Sequence, residues 1–191
     1  MKNKEVLTAR LHTICDPLPQ PTNRCGLAAA LLAIVPDSLD QHIILTRRAL
    51  HLRHHPGQMS FPGGVVEDGE TLLATALRES EEEIGLSREF VHTIGALPPI
   101  KTTSGFELHT IVALVEGLPI LTASPDEVHE IVRFPLKKAL GRQYWHSEIF
   151  YYRGQKLSFE VCWHAGNLIW GATARVIAEL RHRWHRAWPD Q

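Results

Sequence analysis

The sequence has few cysteines, no long apolar run and no excess of charge. The three cysteines, Cys15, Cys25 and Cys162, are an odd number at unrelated spacings, which argues against a disulfide framework and predicts reduced thiols in a cytoplasmic protein. No apolar run approaches the roughly 20 residues of a membrane span, so we expect no membrane association. No secretory signal is expected either, because residues 1–5 are not followed by an apolar segment. The formal net charge is −1, which provides no broad basic surface for nucleic acid.

What the chain does contain suits one folded domain with an N-terminal addition. The length of 191 residues and the hydrophobic fraction of 44% allow a full core. Residues 4–15 predict a short helix, and the prolines of residues 16–21 then predict an extended connector. We therefore predict an N-terminal arm over residues 1–24 and one domain over residues 25–191. The apolar side chains expected on one side of the first helix are Val6, Leu7, Leu11 and Ile14.

Strand-like and helix-like segments alternate along the rest of the chain. Residues 25–35 favour a buried strand, although their alanines leave a helix open. Residues 145–152 and 156–163 predict a hairpin around Arg153-Gly154-Gln155, and residues 168–188 have helical periodicity. Both Cys25 and Cys162 lie in apolar runs and are expected to be packed. The other predicted strands are 42–47, a short strand starting at Phe61, 90–97 ended by Pro98-Pro99, 108–116 and 131–134.

A helix rich in carboxylates follows a glycine pair at Gly63-Gly64. On this helix Glu79, Glu82 and Glu83 are spaced i, i+3 and i+4, so their side chains are neighbours and repel each other. They also lie near the C-terminal end of the helix, where the helix dipole disfavours anions. A divalent cation with oxygen ligands, such as Mg²⁺, would offset both costs. The alternative is a solvated acidic helix face without a ligand.

The spacing of these residues carries a family resemblance. The segment matches the pattern G-x5-E-x7-R-E-U-x-E-E-x-G-U, in which U is a bulky apolar residue, and Ser80 departs from it at one apolar position. The chain therefore resembles the Nudix hydrolases. The matching residues are Gly64, Glu70, Arg78, Glu79, Glu82, Glu83, Gly85 and Leu86.

The resemblance implies a fold, a reaction and a set of site residues. The fold would be the Nudix α/β/α sandwich with a mixed β-sheet. The reaction would be hydrolysis of a diphosphate with Mg²⁺ or Mn²⁺ held by Glu79, Glu82 and Glu83, while Arg78 fixes a neighbouring carboxylate. Glu127, from a later loop, is a further catalytic candidate. The alternative is a structural role, in which its carboxylate lies at the N-terminus of a short helix and interacts favourably with the helix dipole. The general base stays open among Glu79, Glu82 and Glu127.

A second pattern lies directly upstream. Residues 44–64 match L-L-T-x-R-[SA]-x3-R-x3-G-x3-F-P-G-G, with Ile44 in place of the first Leu, and this extension resembles the coenzyme A pyrophosphatase branch. Arginine suits phosphate through its planar fork of donors. The resemblance implies a substrate-binding set made of Arg48, Arg53, His55, Gly63 and Gly64.

The expected activity is metal-dependent cleavage of coenzyme A, or an acyl or oxidised form, into 4′-phosphopantetheine and adenosine 3′,5′-bisphosphate. The alternatives are a Nudix pyrophosphatase for ADP-ribose or dinucleotides, and a non-catalytic nucleotide-binding Nudix module. A zinc site at His51, His54 and His55 is disfavoured because no cysteine or acidic residue stands beside them at ligand spacing. We expect a monomer or homodimer that acts on a small molecule.

Overall fold

The computed structural model describes residues 2–20, 25–36, 41–117, 119–152 and 155–189. The helices are α1 (Lys2–Ile14), α2 (Leu72–Ile84), α3 (Leu136–Leu140) and α4 (Gly171–Ala187). The strands are β1 (Leu27–Val35), β2 (His42–Arg48), β3 (Met59–Ser60), β4 (Gly63–Val65), β5 (Val91–Lys101), β6 (Glu107–Val115), β7 (Val128–Pro135), β8 (His146–Tyr152), β9 (Gln155–His164) and β10 (Asn167–Ile169).

The larger sheet is mixed and has seven strands. Its path is β3-β2-β1-β6-β5, with β4 also paired to β1 and β7 also paired to β2. The pair β1–β6 is parallel, and the other pairs in this sheet are antiparallel. Residues 25–35 therefore supply a buried strand, and the helical alternative for this segment is wrong.

Helices cover both faces of the larger sheet. Alternate side chains of β1 point to opposite faces of the sheet and belong to two separate apolar cores, one under the helices of each face. Leu31 and Ala33 pack with Leu72, Ala76 and Ile84 of α2 on one face. The other face packs against α1, α3 and α4 through Leu11, Leu136, Ile177 and Leu180, among others. The predicted α/β/α sandwich with a mixed sheet is confirmed.

A second, smaller sheet lies on the α4 side. Its antiparallel strands have the order β10-β9-β8. The pairing of Ser147 with Glu160 and of Tyr151 with Lys156 confirms the predicted hairpin. Residues 153 and 154 of the predicted turn lie outside the described residues. The final helix begins at Gly171, because Leu168 and Ile169 belong to β10 and not to the helix as predicted.

The N-terminal helix packs against the domain. Leu7, Leu11 and Ile14 are buried in the α4-side core, whereas Val6 is 52% exposed, so its predicted place on the apolar side is wrong. Asp16 then exchanges two backbone hydrogen bonds of 2.9 Å with Ala96 of β5. Residues 1 and 21–24 of the predicted arm lie outside the described residues, and the domain boundary at residue 24 stays a prediction.

Three local predictions differ from the structure. The edge strand β5 continues through Pro98-Pro99, because an edge strand tolerates proline and the pairing with β6 shifts register there. Phe61 lies between β3 and β4 and is not part of a strand. Cys25 is exposed and Cys162 is buried, so only the second thiol is packed as predicted.

Candidate active site

Helix α2 carries the site and is capped at both ends by the residues that flank it. Thr71 caps the N-terminus, where its hydroxyl accepts a hydrogen bond of 3.1 Å from the N–H of Ala74. Gly85 ends the helix with φ of 66°, and its N–H donates to the carbonyl of Glu81. Ser80, which departs from the expected apolar residue, is fully buried and donates its hydroxyl to the carbonyl of Ala76 at 2.7 Å. The departure is therefore accommodated without an unpaired hydroxyl.

The two glycines before α2 allow close contact between backbone and carboxylate. Gly63 and Gly64 pair with Ala30 and Ala29 of β1. A Cβ atom at Gly64 would overlap the carboxylate of Glu79, and one at Gly63 would overlap the backbone of β1. Gly63 leaves no room for a side chain, and at Gly64 a side chain would displace the carboxylate of Glu79, which explains why the pair precedes the helix.

Three carboxylates meet beside this glycine pair. Glu79, Glu83 and Glu127 each place a carboxylate oxygen within 4.8 Å of the others, and we call this set the glutamate cluster. Glu83 is only 3% exposed, whereas Glu127 is exposed. The Oε2 atom of Glu83 is buried and has no hydrogen-bond partner among the described residues.

The segment that carries Glu127 is held against the end of α2. The N–H groups of Thr122 and Ser124 donate to the carbonyls of Ile84 and Glu83, each at 2.9 Å. The chain then turns, and the N–H of Val128 donates to the carbonyl of Ser124 at 2.8 Å. This is a hydrogen-bonded turn that leads directly into β7, and it brings Glu127 to the cluster.

The electrostatics of the cluster are unfavourable for three anions. Burial is the main cause that raises the pKa of Glu83 to about 8, followed by the charges of Glu79 and Glu127, while Arg48 and the N–H of Gly63 oppose the shift. Burial also raises the pKa of Glu79, which Arg78 partly offsets. Without a cation, Glu83 therefore favours its protonated form near neutral pH, and a cation would reverse this preference.

Arg78 organises the carboxylates around it. Its Nε and Nη2 atoms donate to Glu70 at 2.8 and 3.1 Å, and its Nη1 atom donates to Glu79 at 3.0 Å and to Glu82 at 2.9 Å. The hydrogen bonds from Arg78 are the main cause that lowers the pKa of Glu70 to about 2. The side chain of Glu82 is 56% exposed and faces Arg78, outside the glutamate cluster.

The donor set of the cluster fits a hard divalent cation. Oxygen ligands from carboxylates suit Mg²⁺ and Mn²⁺. The buried Oε2 atom of Glu83 has no hydrogen-bond partner among the described residues, and burial, followed by the charges of Glu79 and Glu127, raises the pKa of this carboxyl group; a cation bound here would offset both effects. The residues present therefore fit such an ion.

The loop from Ala49 to Gln58, which we call the upstream loop, joins the site at its two ends. The N–H of Arg48 donates to the carbonyl of Gln58 at 3.0 Å, and the N–H of Ala49 donates to the carbonyl of Glu127 at 2.8 Å. Arg48 lies near enough to Glu83 to oppose its pKa shift. Arg53 and His55 are exposed on the loop, and His55 has a positive φ of 56°. The structure thus brings Arg48 to the cluster and leaves Arg53 and His55 at the surface.

The chain has relatives in one known protein family. The family model described as NUDIX domain matches residues 26–153. The chain belongs to the Nudix hydrolase family. A protein named uncharacterized Nudix hydrolase NudL, from Escherichia coli, is 38% identical over 72% of each chain. A protein of the same name from Salmonella paratyphi B is 37% identical over 80% of each chain.

Solved structures share the fold of this Nudix chain. An Ap4A hydrolase from C. elegans, in a binary complex, has a TM-score of 0.52 and 18% identity over 59% of this chain and 83% of its own. The Nudix hydrolase RenU from M. smegmatis has a TM-score of 0.51 and 21% identity over 59% of this chain and 71% of its own. At these identities the likeness extends to the fold alone.

Four of the predicted site residues, Arg78, Glu79, Glu82 and Glu83, lie on helix α2, and the others lie at the end of β2, on the upstream loop, at the glycine pair and before β7. Glu127 is predicted as a catalytic carboxylate from a later loop, and its carboxylate lies with those of Glu79 and Glu83, while its role stays a prediction. Arg47 received no role, because it fills a variable position of the upstream pattern. Its Nε atom is buried without a hydrogen-bond partner among the described residues, a property that the sequence does not display. No helix in the described part of the chain is long and apolar enough to cross a bilayer.

Proposed function

We propose that this Nudix hydrolase cleaves the diphosphate of coenzyme A, in a reaction that depends on Mg²⁺ or Mn²⁺. The products are 4′-phosphopantetheine, or its acyl or oxidised form, and adenosine 3′,5′-bisphosphate. The observation that carries the proposal is the position of the upstream loop. Its first residue bonds to the backbone of Glu127, and the adjacent Arg48 lies beside Glu83.

Glu79, Glu83 and Glu127 would hold the cation, with Glu82 as a further carboxylate that Arg78 keeps beside them. A bound Mg²⁺ or Mn²⁺ supplies charge neutralisation on the diphosphate oxygens and a more acidic water. Arg78 keeps Glu79 and Glu82 oriented through its hydrogen bonds at 3.0 and 2.9 Å. The base that accepts the proton from the attacking water is one of Glu79, Glu82 and Glu127.

The upstream loop and the glycine pair hold the substrate. Arg48 binds the reacting diphosphate, because its charge lies near enough to Glu83 to lower the pKa of that carboxyl group. Arg53 and His55 contact the substrate from the exposed part of the loop. Gly63 and Gly64 form the backbone wall of the substrate site, since the missing Cβ atoms let β4 lie directly against β1 and against the carboxylate of Glu79.

Incubation of the purified protein with coenzyme A and Mn²⁺, followed by chromatography of the products, tests the proposal. We expect equal amounts of 4′-phosphopantetheine and adenosine 3′,5′-bisphosphate, and no products in the presence of EDTA. If the protein leaves coenzyme A intact but hydrolyses ADP-ribose or a dinucleotide, the compound that it hydrolyses would replace coenzyme A as the proposed substrate. A protein that binds nucleotide and hydrolyses none of these compounds would refute the enzymatic role.

A further inference from the structure

Both sheets end in strands that have a neighbouring strand on one side only. Within the described residues these edge strands are β5, β7 and the short strands β3 and β4 in the larger sheet, and β8 and β10 in the smaller one. The outer edge of such a strand carries backbone N–H and C=O groups that can pair with a strand of another molecule. Proteins usually block this pairing with proline, charge, a bulge, a covering segment or a very short strand.

The edge of β5 is blocked in two ways. Pro98 and Pro99 lie within the strand and have no N–H group to donate. Asp16, in the segment that follows α1, covers part of the same edge, since it exchanges two backbone hydrogen bonds of 2.9 Å with Ala96. A second molecule therefore cannot extend the larger sheet at β5.

The other edges of the larger sheet, and β10 in the smaller one, are charged or short. Strand β7 exposes His129, Glu130 and Arg133 and ends at Pro135. The Nε2 atom of His164 lies 3.0 Å from the carbonyl oxygen of Arg133 and occupies it. Strands β3, β4 and β10 contain two or three residues each. Each of these edges thus has one of the usual protections.

The edge of β8 has none of these protections. The strand is seven residues long and contains neither lysine nor proline, and its pairing with β9 shows no shift of register. In the part of the chain that the structure describes, the backbone of β8 pairs with β9 alone. Its one acidic residue, Glu148, has its carboxylate 3.2 Å from Nε2 of His146. Strand β8 is therefore a regular edge with little charge to repel another strand.

Apolar side chains are exposed along the same edge. Ile149 is 50% exposed and Tyr151 is 76% exposed. Alternate residues of a strand lie on the same face, so these two side chains are neighbours on one face of the smaller sheet. Their partners on β9, Ser158 and Lys156, are exposed as well. The edge therefore offers a partner both backbone hydrogen bonds and apolar surface.

The sequence of β8 suits pairing with a second copy of itself. Two identical strands pair antiparallel about a two-fold axis, the commonest symmetry of protein oligomers. An axis at Ile149, the middle residue, lets all seven residues pair, with Ile149 opposite its own copy, Ser147 opposite Tyr151 and Glu148 opposite Phe150. No like charges then lie directly opposite each other. An axis at Glu148 would place two carboxylates opposite each other, so charge disfavours that register.

We propose that the protein forms a homodimer in which β8 pairs antiparallel with β8 of a second copy, about an axis at Ile149. The two three-stranded sheets then become one continuous sheet. Ile149 and Tyr151 of both copies come together on one face of it, where each Tyr151 is the diagonal neighbour of the Ile149 in the other copy. The strand contains no residue of the glutamate cluster or of the upstream loop, so the dimer goes beyond the proposed function and does not depend on it.

Sedimentation velocity of the purified protein over a range of concentrations tests the proposal. We expect a dimer that dissociates on dilution, because one pair of strands makes a small interface. Ile149→Lys should give a monomer, since two ammonium groups would lie opposite each other at the axis. Trp163→Lys, which places the same charge at a 56% exposed position on the middle strand β9, is the matched control and should remain dimeric.

A mixture of two variants tests the position of the axis. Ile149→Lys and Ile149→Glu should each be monomeric, whereas an equimolar mixture should dimerise, because opposite charges then meet at the axis. Thermal denaturation shows whether each variant is folded. If either variant does not fold, Ile149→Ser replaces the pair and should raise the dissociation constant of the dimer by about tenfold.

Three results would overturn the proposal. A wild-type protein that stays monomeric at every concentration up to about 1 mM would exclude the dimer. A dimer that survives Ile149→Lys, or an assembly larger than a dimer, would exclude pairing of β8 about a two-fold axis. A mixture of the two charged variants that stays monomeric would exclude the axis at Ile149. These masses are measured without substrate, so they stand whether or not coenzyme A is cleaved.

Discussion

Gly64 lies so close to the carboxylate of Glu79 that a single added methyl group would overlap it. The carboxylate is the far end of a flexible side chain, so it can move without disturbing the backbone. A substitution at Gly64 therefore separates the geometry of the metal site from the stability of the fold.

Gly64→Ala should leave the protein folded and reduce turnover by about 100-fold, because displacing a reacting group by about 1 Å has effects of this size. Activity and thermal denaturation, both measured with Mn²⁺ present, check this. Val65→Ala, at the next and half-exposed position of β4, is the control and should retain activity. Full activity of Gly64→Ala would show that Glu79 does not need its present position.

Glu83 gives the apo protein a specific dependence on pH. Its pKa is raised to about 8 in the folded protein, from an ordinary value of 4.5. Between these values the folded state binds more protons than the unfolded state, so this group makes stability fall as pH rises towards 8. Urea denaturation in EDTA at pH 5.5 and pH 8 measures the free energy of unfolding at each pH. Between these two pH values that free energy should fall more for the wild-type protein than for Glu83→Gln.

The same variant tests the metal site. Glu83→Gln should reduce turnover by more than about 100-fold, since losses of 10- to 100-fold are typical of outer-shell partners alone. Glu81→Gln, an exposed position on the same helix, should be close to wild type. Equal pH dependence of stability in Glu83→Gln and the wild-type protein would contradict the burial of an unpaired carboxyl group.

Arg78 should act through the carboxylates that it holds. Arg78→Lys cannot reproduce hydrogen bonds to Glu70, Glu79 and Glu82 at once. We expect kcat to fall by about tenfold with a smaller change in KM, in line with the loss of an orienting partner. Steady-state kinetics of Arg78→Lys check this, with Arg88→Lys, at an exposed arginine after the helix, as the control. An effect confined to KM would indicate that Arg78 binds substrate.

Glu127 and Glu82 should contribute differently to the binding of the metal ion. The carboxylate of Glu127 belongs to the cluster of oxygens within 4.8 Å, and that of Glu82 faces Arg78. Glu127→Gln should therefore weaken Mn²⁺ binding, measured by calorimetry, more than Glu82→Gln does. The opposite order would place the cation on the solvent side of α2.

The sequence predicted the layers of the fold and the position of the glutamates because both follow from periodicity. The 3.6-residue period of α2 places Ser80 and Ile84 inside, and the family spacing identifies Glu79 and Glu83. The proximity of Glu127 depends on a turn bonded to the end of α2, which is a tertiary contact between residues far apart in the chain. The predicted end of the strand before Pro98 was wrong, because the local sequence does not show that this strand lies at the edge of the sheet, where proline is tolerated.

The most direct test of the account compares kcat/KM for coenzyme A, ADP-ribose and a dinucleotide, with Mn²⁺ and with EDTA. Selectivity arises from the difference in transition-state binding between substrates, so this ratio reports on the site itself. We predict a preference for coenzyme A of about tenfold or more and no turnover of any substrate in EDTA. Faster hydrolysis of ADP-ribose or the dinucleotide, or turnover that survives EDTA, would contradict it.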